Sequence, residues 1–446
     1  MDIISPAIRR SDVASACSRL LRTKRLRRFC GGTPMRSWSR ATTNIPKTEA
    51  NKVPEVQLFE ERSLKLAWYA GWPDGGHNYS YPHQWLRFHC QCAECRQPFS
   101  NQRILDPSKI PGNITLLDAF IEGDCVVLEW TDNHKGRINL KWLVENHLHK
   151  LEKEDKSELS LKKSHSIGMS VIDYKELEKS EYVRHLYEAI LKEGHIKVHG
   201  LPTTPGTVKK FVQDVFNLPV QRTIYGEVFD VMSTDKPINV AYSNAELKPH
   251  MDLVYYESPP GLQLLHCLKF DESVQGGESI LIDGFDVAEK MRYKFPAEFN
   301  VLCSTPVTFE KIHYEREWPV HMRYRRPHIV INDKREITGF FWAPQFEGPF
   351  FASEGNVERY YDAYRKLASL IDASPTKKSF LMRPGDLIIF NNRTWLHGRN
   401  AFTVSEGVRH LQGCYVNIDE FQSQAQVTLF GNKQRIQFPH VGNQSF

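Results

Sequence analysis

The triplet His250-Met251-Asp252 constrains this chain more than any other feature. On extended backbone, residues two apart project from the same side of a strand. One imidazole and one carboxylate then aim at a common point. His397, in Trp395-Leu396-His397-Gly398-Arg399, offers a second imidazole near the other end of the chain. Two imidazoles and one carboxylate hold Fe(II) on one face and leave the opposite positions open for substrate and oxygen.

The surroundings of both histidines are strand-like. Pro259-Pro260-Gly261 and Gly276-Gly277 bracket the apolar run Leu262–Leu268. Glu278-Ser279 and a second apolar run to Ile282 follow. His397 comes just after the β-rich run Leu387–Phe390, and Arg409 lies beyond a short loop. Further strands are expected at Ile196–Leu201, within 301–345 (starting from Val301), at Phe380–Met382 and at Leu411–Val416. Apolar periodicity predicts helices over Tyr174–Lys192, Pro205–Phe216, Gly284–Asn300 and Val357–Ile371. Many short strands with turn signals and a few flanking helices make a mainly β fold, a jelly-roll or double-stranded β-helix.

A length of 446 residues allows two or three domains with a sizeable core. No apolar run approaches the ~18–20 residues of a membrane span. The net charge of +5 is concentrated at the start: residues 1–50 hold eleven Lys/Arg against three acids, which leaves the rest at −3. No basic patch argues for nucleic acid. Three of the nine Cys cluster at 90–95, and the other six are scattered, as in a reducing compartment.

Residues 1–45 are basic, rich in Ser, Thr and Ala, and poor in acids, the composition of a mitochondrial transit peptide. A matrix location is therefore expected, with a plain basic tail and a cytoplasmic protein as the alternative. Residues 46–57 read as a linker. Residues 58–148 read as a small β-rich domain with an internal echo, Trp72 to Leu86 and Trp130 to Leu143, each a strand, polar turn, strand and helix start. Between the two copies lie Cys90, Cys92 and Cys95. Three thiols in six residues suit a tetrahedral zinc site lacking one ligand, with His134, His89 and His77 as candidates. Residues 149–173 read as a charged linker and 174–446 as the second domain.

The motifs H-M-D, P-P-G-L-Q-L-L-H-C, G-G-E-S, N-N-R-x-x-L-H-G-R and R-H-L-Q-G-C-Y together resemble the Fe(II)/2-oxoglutarate dioxygenases. Among these the chain is most similar to the γ-butyrobetaine and trimethyllysine hydroxylases of carnitine synthesis. The likeness runs over roughly residues 58 to 425. It implies a double-stranded β-helix with Fe(II) on His250, Asp252 and His397. It further implies 2-oxoglutarate as cosubstrate, with its far carboxylate on Arg409 and Ser279, and ascorbate as reductant. Arg399 and Arg393 are the other cations nearby. The resemblance makes His134 the fourth ligand of a structural zinc. It places an aromatic cage for a trimethylammonium group at Tyr225, Phe229, Tyr242 and Tyr415, and a carboxylate-holding amide at Asn239. A homodimer is implied as well. Two positions depart from the pattern: Phe229 stands for a Trp, and Phe341-Trp342-Ala343 lacks a second Asn. The expected activity is hydroxylation of a small betaine using O2. γ-Butyrobetaine is the first choice and trimethyllysine the second. A zinc-containing binding module without catalysis is the alternative of another class.

Overall fold

The computed structural model describes residues 55–60, 62–67, 78–148, 168–232, 243–404, 407–431 and 438. The expected leader, the Trp72–His77 turn, most of the 149–173 linker, Asn239 and Tyr242 lie outside the described residues. The chain divides into two compact units, Met1–Leu148 and His149–Phe446.

The first unit holds two three-stranded antiparallel sheets. One contains β1 (Glu55–Glu60), β2 (Ser63–Ala67) and β3 (Asn78–Pro82). The other contains β4 (Leu116–Glu122), β5 (Cys125–Trp130) and β6 (Lys135–Asn139). Alternate residues of β2, β3 and β5 (Leu64, Leu66, Tyr79, Tyr81, Val126, Leu128 and Trp130) form one buried core, as half-buried strands require. The echo is real: β3 runs into the helix His83–Phe88 and β6 into the helix Leu140–Glu145. β1 begins inside the stretch read as a linker, so the module starts earlier than its composition suggests.

The second unit is built on two sheets. The six-stranded sheet has the order β7-β8-β19-β11-β22-β9. Its strands are β7 (Val171–Asp173), β8 (His195–His199), β9 (Phe229–Val231), β11 (Leu262–Phe270), β19 (Leu387–Asn391) and β22 (Arg409–Val416). All its pairs are antiparallel except β7 with β8. The four-stranded antiparallel sheet has the order β10-β20-β13-β18, from β10 (Leu247–His250), β13 (Ser279–Asp283), β18 (Lys378–Phe380) and β20 (Trp395–Arg399). Short pairs join β12 (Val274–Gly276) to β21 (Phe402–Val404), β14 (Val307–His313) to β15 (Val320–Arg326), and β16 (Ile329–Ile331) to β17 (Ile337–Phe340). The architecture is a double-stranded β-helix with flanking helices.

On one side of the six-stranded sheet, Leu262, Leu264, Ile389, Cys414 and Val416 join Leu186, Ile190, Phe211 and Phe421 of three helices in the main core. These helices are Ser180–Glu193, Thr207–Val215 and Ile418–Phe430. Gly194 ends the first in the left-handed conformation (φ 75°), which glycine adopts without a Cβ penalty. The structure corrects several expectations. Tyr174–Glu178 is a separate 3-10 turn. The helix expected over Gly284–Asn300 is two, Gly284–Lys294 and Pro296–Ser304, because Pro296 has no N–H to continue the first and suits the first turn of the second. Val301 therefore belongs to a helix rather than a strand. Val171–Asp173, read as linker, is a strand of the sheet.

Candidate active site and metal clusters

In the first unit the structure brings Cys90, Cys92, Cys95 and His134 together. His134 Nε2 lies 3.3, 3.6 and 3.5 Å from the three Sγ atoms. A tetrahedron with zinc–ligand bonds of 2.0–2.3 Å has edges of about 3.5 Å, so the donors fit zinc without rearrangement. Glu94 approaches His134 Nδ1 at 3.4 Å and sets the tautomer that frees Nε2. Arg87, paired with Asp132 at 2.9 Å, donates to Cys95 Sγ at 3.5 Å. His89 is not a ligand: its ring stacks on Trp85 at 4.2 Å and its Nδ1 meets the Trp85 carbonyl. His77 lies outside the described residues.

In the second unit His250, Asp252 and His397 converge, with one ligand atom of each within 4.8 Å of the others. His250 and His397 are direct cross-strand partners on β10 and β20, with ring centroids 4.4 Å apart. Asp252 Oδ1 is 3.2 Å from His250 Nε2 and its Oδ2 is 3.6 Å from His397 Nε2. Donors in cis positions around a divalent ion with bonds near 2.1 Å sit about 3 Å apart. The residues fit the metal. Asp252 does not share a strand with His250 as the spacing predicts. β10 ends at His250, and the Met251 N–H turns to the Trp342 carbonyl at 2.8 Å. Leu253, in the left-handed region (φ 56°), completes the turn. The carboxylate reaches the common point by a bend instead of a pleat.

Hydrogen bonds orient His250 and Asp252. His250 Nδ1 lies 2.9 Å from the Lys248 carbonyl, which leaves Nε2 as the acceptor. Tyr415 OH donates to Asp252 Oδ2 at 2.7 Å. Asn392 grips the Asp252 backbone: its Oδ1 accepts from the Asp252 N–H at 2.9 Å and its Nδ2 donates to the Asp252 carbonyl at 3.1 Å. Burial alone would raise the Asp252 carboxyl, but His397, His250 and the Tyr415 hydroxyl outweigh it and hold the group well below the usual carboxylate range. Burial takes His397 down to about 4, against the pull of Asp252 and with help from His250, so its imidazole is neutral. An ionised carboxylate and neutral imidazoles are the forms that bind a metal.

A cavity opens beside this set, lined from both sheets. Ser279 and Arg399 pair across β13 and β20, two residues from the Leu281–His397 pair. Two residues of strand span about 6.7 Å, the reach of a five-carbon diacid. Arg409 lines the same cavity. It is 5 % exposed, its one hydrogen bond goes to the Gly277 carbonyl at 3.4 Å, and its Nε is without a partner among the described residues. Burial lowers it only to about 10, so it stays charged. A buried cation with no carboxylate among the described residues within ion-pairing distance fits an anionic ligand. Arg399 also lines the cavity, but two of its hydrogen bonds go to the Ser243 and Ala245 carbonyls, 2.7 Å each. Arg393 points elsewhere, to Ser258 and the Pro259 carbonyl.

The aromatic residues form a wall. Phe229 stacks on Tyr415 (5.1 Å, 25°) and Tyr225 lies 6.1 Å from Phe229. All three line the cavity. Tyr242 and Asn239 lie outside the described residues. Trp342 is not among the lining residues; it packs against Tyr364 at 4.8 Å and His328 at 5.5 Å. Sequence reasoning missed Asn392, the buried cavity residue Gln263, and Arg316. The Arg316 guanidinium sits 5.5 Å from the Tyr225 ring and donates to the Ile224 carbonyl, while Tyr256 OH takes the Ile224 N–H at 3.0 Å. Together they fix the peptide that carries Tyr225.

The chain has known relatives. Residues 55–144 match the family described as gamma-butyrobetaine hydroxylase-like, N-terminal. It is 29% identical to a gamma-butyrobetaine dioxygenase of Pseudomonas sp. (strain AK-1), over 79% of this chain and 91% of that protein. It is 28% identical to the human gamma-butyrobetaine dioxygenase, over 78% and 90%. It is 26% identical to the mitochondrial trimethyllysine dioxygenase of Rattus norvegicus, over 78% and 82%. Residues 159–415, more than half of the chain, match one family throughout, and the chain belongs to it: the taurine catabolism dioxygenase TauD, TfdA family.

Proposed function

We propose that this Fe(II)- and 2-oxoglutarate-dependent dioxygenase hydroxylates γ-butyrobetaine to L-carnitine. The observation that carries the reading is the aromatic wall Tyr225–Phe229–Tyr415 standing beside the His250–Asp252–His397 set in one cavity. A quaternary ammonium has no N–H to donate, and aromatic faces hold it by cation–π attraction worth ~0.5–2 kcal/mol per ring.

His250, Asp252 and His397 would hold Fe(II), and Arg409 with Ser279 the far carboxylate of 2-oxoglutarate. When bound, the metal and cosubstrate supply oxygen activation coupled to decarboxylation of 2-oxoglutarate to succinate and CO2, and so the power to hydroxylate an unactivated C–H bond. The chain's own residues do the rest. The Asn392 clamp and the Tyr415 hydroxyl fix the Asp252 carboxylate. The aromatic wall positions the betaine and keeps water off the reacting carbon. Asn239 is the proposed contact for the betaine carboxylate. The Cys90–Cys92–Cys95–His134 set would hold a structural zinc with no open position. Ascorbate as reductant and a homodimeric assembly come from the family resemblance. A mitochondrial matrix location rests on the composition of residues 1–45.

The preference over trimethyllysine rests on charge. Trimethyllysine carries an α-ammonium besides its quaternary head. Among the described residues that line the cavity, Asp252 is the one acid, and it belongs to the metal set. Burying an ammonium without a partner costs about 3–5 kcal/mol. Protein starting near Asn51, supplied with Fe(II), 2-oxoglutarate and ascorbate, is expected to turn over γ-butyrobetaine with the higher kcat/KM. A higher value for trimethyllysine would overturn the substrate choice. Succinate release coupled to neither would overturn the reading of the pocket.

A further inference from the structure

Gln263 sits on β11 between Tyr415 of β22 and Phe390 of β19. It is 1 % exposed and lines the cavity together with His250, Asp252 and His397. Its Oε1 is buried without a hydrogen-bond partner among the described residues. Alternation on the strand explains where it points. Leu262 and Leu264 belong to the main core on one face, whereas Gln263 and Leu265 face the cavity. On the six-stranded sheet the other cavity-lining residues are Phe229, Val231, Leu265, Arg409, Leu411 and Tyr415, so Gln263 is the one amide among them. A buried amide oxygen left unpaired is unfavourable unless something in the cavity completes the group.

We propose that Gln263 is a cosubstrate-binding residue whose amide donates a hydrogen bond to the oxo-acid head of 2-oxoglutarate, the end that chelates the metal. This rests on the reading of the site given above. Elimination selects the ligand. The betaine's trimethylammonium group neither donates nor accepts a hydrogen bond, so it would leave the amide as it is, and the betaine's carboxylate is assigned to Asn239. The far carboxylate has Arg409 and Ser279. The oxo-acid head carries several acceptor oxygens and must lie at the level of the histidines, where two neighbouring donors are already engaged. Tyr415 OH goes to Asp252 and the His250 Nδ1 faces Lys248. Gln263 shares that level, because its cross-strand partner is Tyr415 itself. Which amide atom faces the cavity follows from the ligand, since the two ends of the group rotate into each other's place.

The test is anaerobic titration of the Fe(II)-loaded full chain with 2-oxoglutarate, following the charge-transfer absorbance of the chelated oxo acid. Gln263→Leu keeps the side chain's volume and removes the donor. Its Kd is expected to rise about 10-fold or more, the loss that follows removal of a hydrogen bond to a charged group, with zinc content and thermal midpoint unchanged. Gln263→Asn, which keeps an amide on a shorter stem, should recover part of the affinity. A 2-oxo acid lacking the far carboxylate separates the two ends. The Gln263→Leu loss should persist with it, whereas the loss caused by Arg409→Met should vanish. A Gln263→Leu variant that binds both oxo acids like wild type overturns the inference. So does one that weakens only the betaine's KM. If the wild-type chain loaded with Fe(II) binds no 2-oxoglutarate at all, the reading of the site fails instead.

Discussion

Asn392 offers a sharp test of how the metal-facing turn is held. Its side chain makes three hydrogen bonds, from the Asp252 N–H (2.9 Å), to the Asp252 carbonyl (3.1 Å) and to the Pro260 carbonyl (3.2 Å), and it is 1 % exposed. The turn needs such a clamp. Leu253 beside it holds a left-handed backbone that costs a non-glycine residue about 1 kcal/mol. Asn392→Ala strips all three partners at once and leaves one N–H and two carbonyls buried. A net hydrogen bond is worth about 1 kcal/mol and an unpaired buried group costs ~1–3. Water entering the gap repays some of this, so a loss of about 2–4 kcal/mol is expected in the unfolding transition of the second unit. The larger consequence is at the metal. With its backbone released, Asp252 no longer waits in the chelating position. Groups that orient ligands typically change metal affinity 10–100-fold. Chelator competition with Co(II) reads that number directly. Asn392→Asp keeps an acceptor for the Asp252 N–H but forfeits both donations, so it should fall between wild type and Ala in metal affinity. A Co(II) affinity within twofold of wild type in Asn392→Ala would falsify the clamp.

Two further outcomes follow from other parts of the molecule. Purified protein is expected to carry about one tightly held zinc per chain, and Cys92→Ser should lose it, lower the melting transition of the first unit and leave 2-oxoglutarate binding in place; a variant that keeps its zinc would exclude the four-donor reading. Glu347 is raised to about 7 by burial, with only the Tyr364 hydroxyl pulling it down; a carboxyl whose folded value lies above its unfolded value near 4.3 stabilises the fold at low pH, and that contribution disappears as pH rises from about 4.5 to 7. Glu347→Gln should therefore flatten the decline and gain on the order of 2 kcal/mol at pH 8, and identical pH–stability curves for the two proteins would refute the assignment.

The sequence shows the site's charged groups more readily than its supports. His250, His397 and Arg409 stand out because ionisable side chains inside apolar strand runs need a reason, and the cross-strand register of β10 with β20 supplies one. Asp252 was legible as a donor but not in its geometry. Whether β10 continues past His250 depends on the Trp342 carbonyl capturing the Met251 N–H, a contact between distant stretches. Gln263 was hidden by the rule that polar residues in an alternating strand face solvent, which fails where one face lines an internal cavity. Asn392 looks like turn punctuation, and its neighbour Asn391 is just that, accepting from the Arg393 N–H. The break at Pro296 was written in the sequence, since proline inside a helical pattern ends it. Trp342 could not be assigned from its position alone, because only the folded chain shows it against Tyr364 instead of the cavity.

Two glycines account for how close the two halves of the site come. A Cβ on Gly398 would meet the Leu247 carbonyl at 2.6 Å and the Pro249 nitrogen at 3.0 Å. The register of β10 against β20 shifts between Leu247 and His250, and the shift draws the two backbones together just where the imidazoles face each other. Any side chain at 398 would push β20 away and part His397 from His250. On the facing sheet, a Cβ on Gly413 would lie 2.5 Å from the Phe229 ring. β22 thus leaves an opening between Leu411 and Tyr415, and Phe229 from the neighbouring β9 fills it and stacks on Tyr415. A branched residue at 413 would evict that ring and replace an aromatic wall with an aliphatic one. The same strand places Arg409 at one end of this face and Tyr415, bonded to Asp252, at the other. One strand therefore carries the anion-binding end, the aromatic wall and a support of the metal set, with a register shift against β11 between Cys267 and Lys269 that sets the Arg409 end apart. A one-residue slip of β22 against β11 would turn Arg409, Leu411 and Tyr415 out of the cavity together.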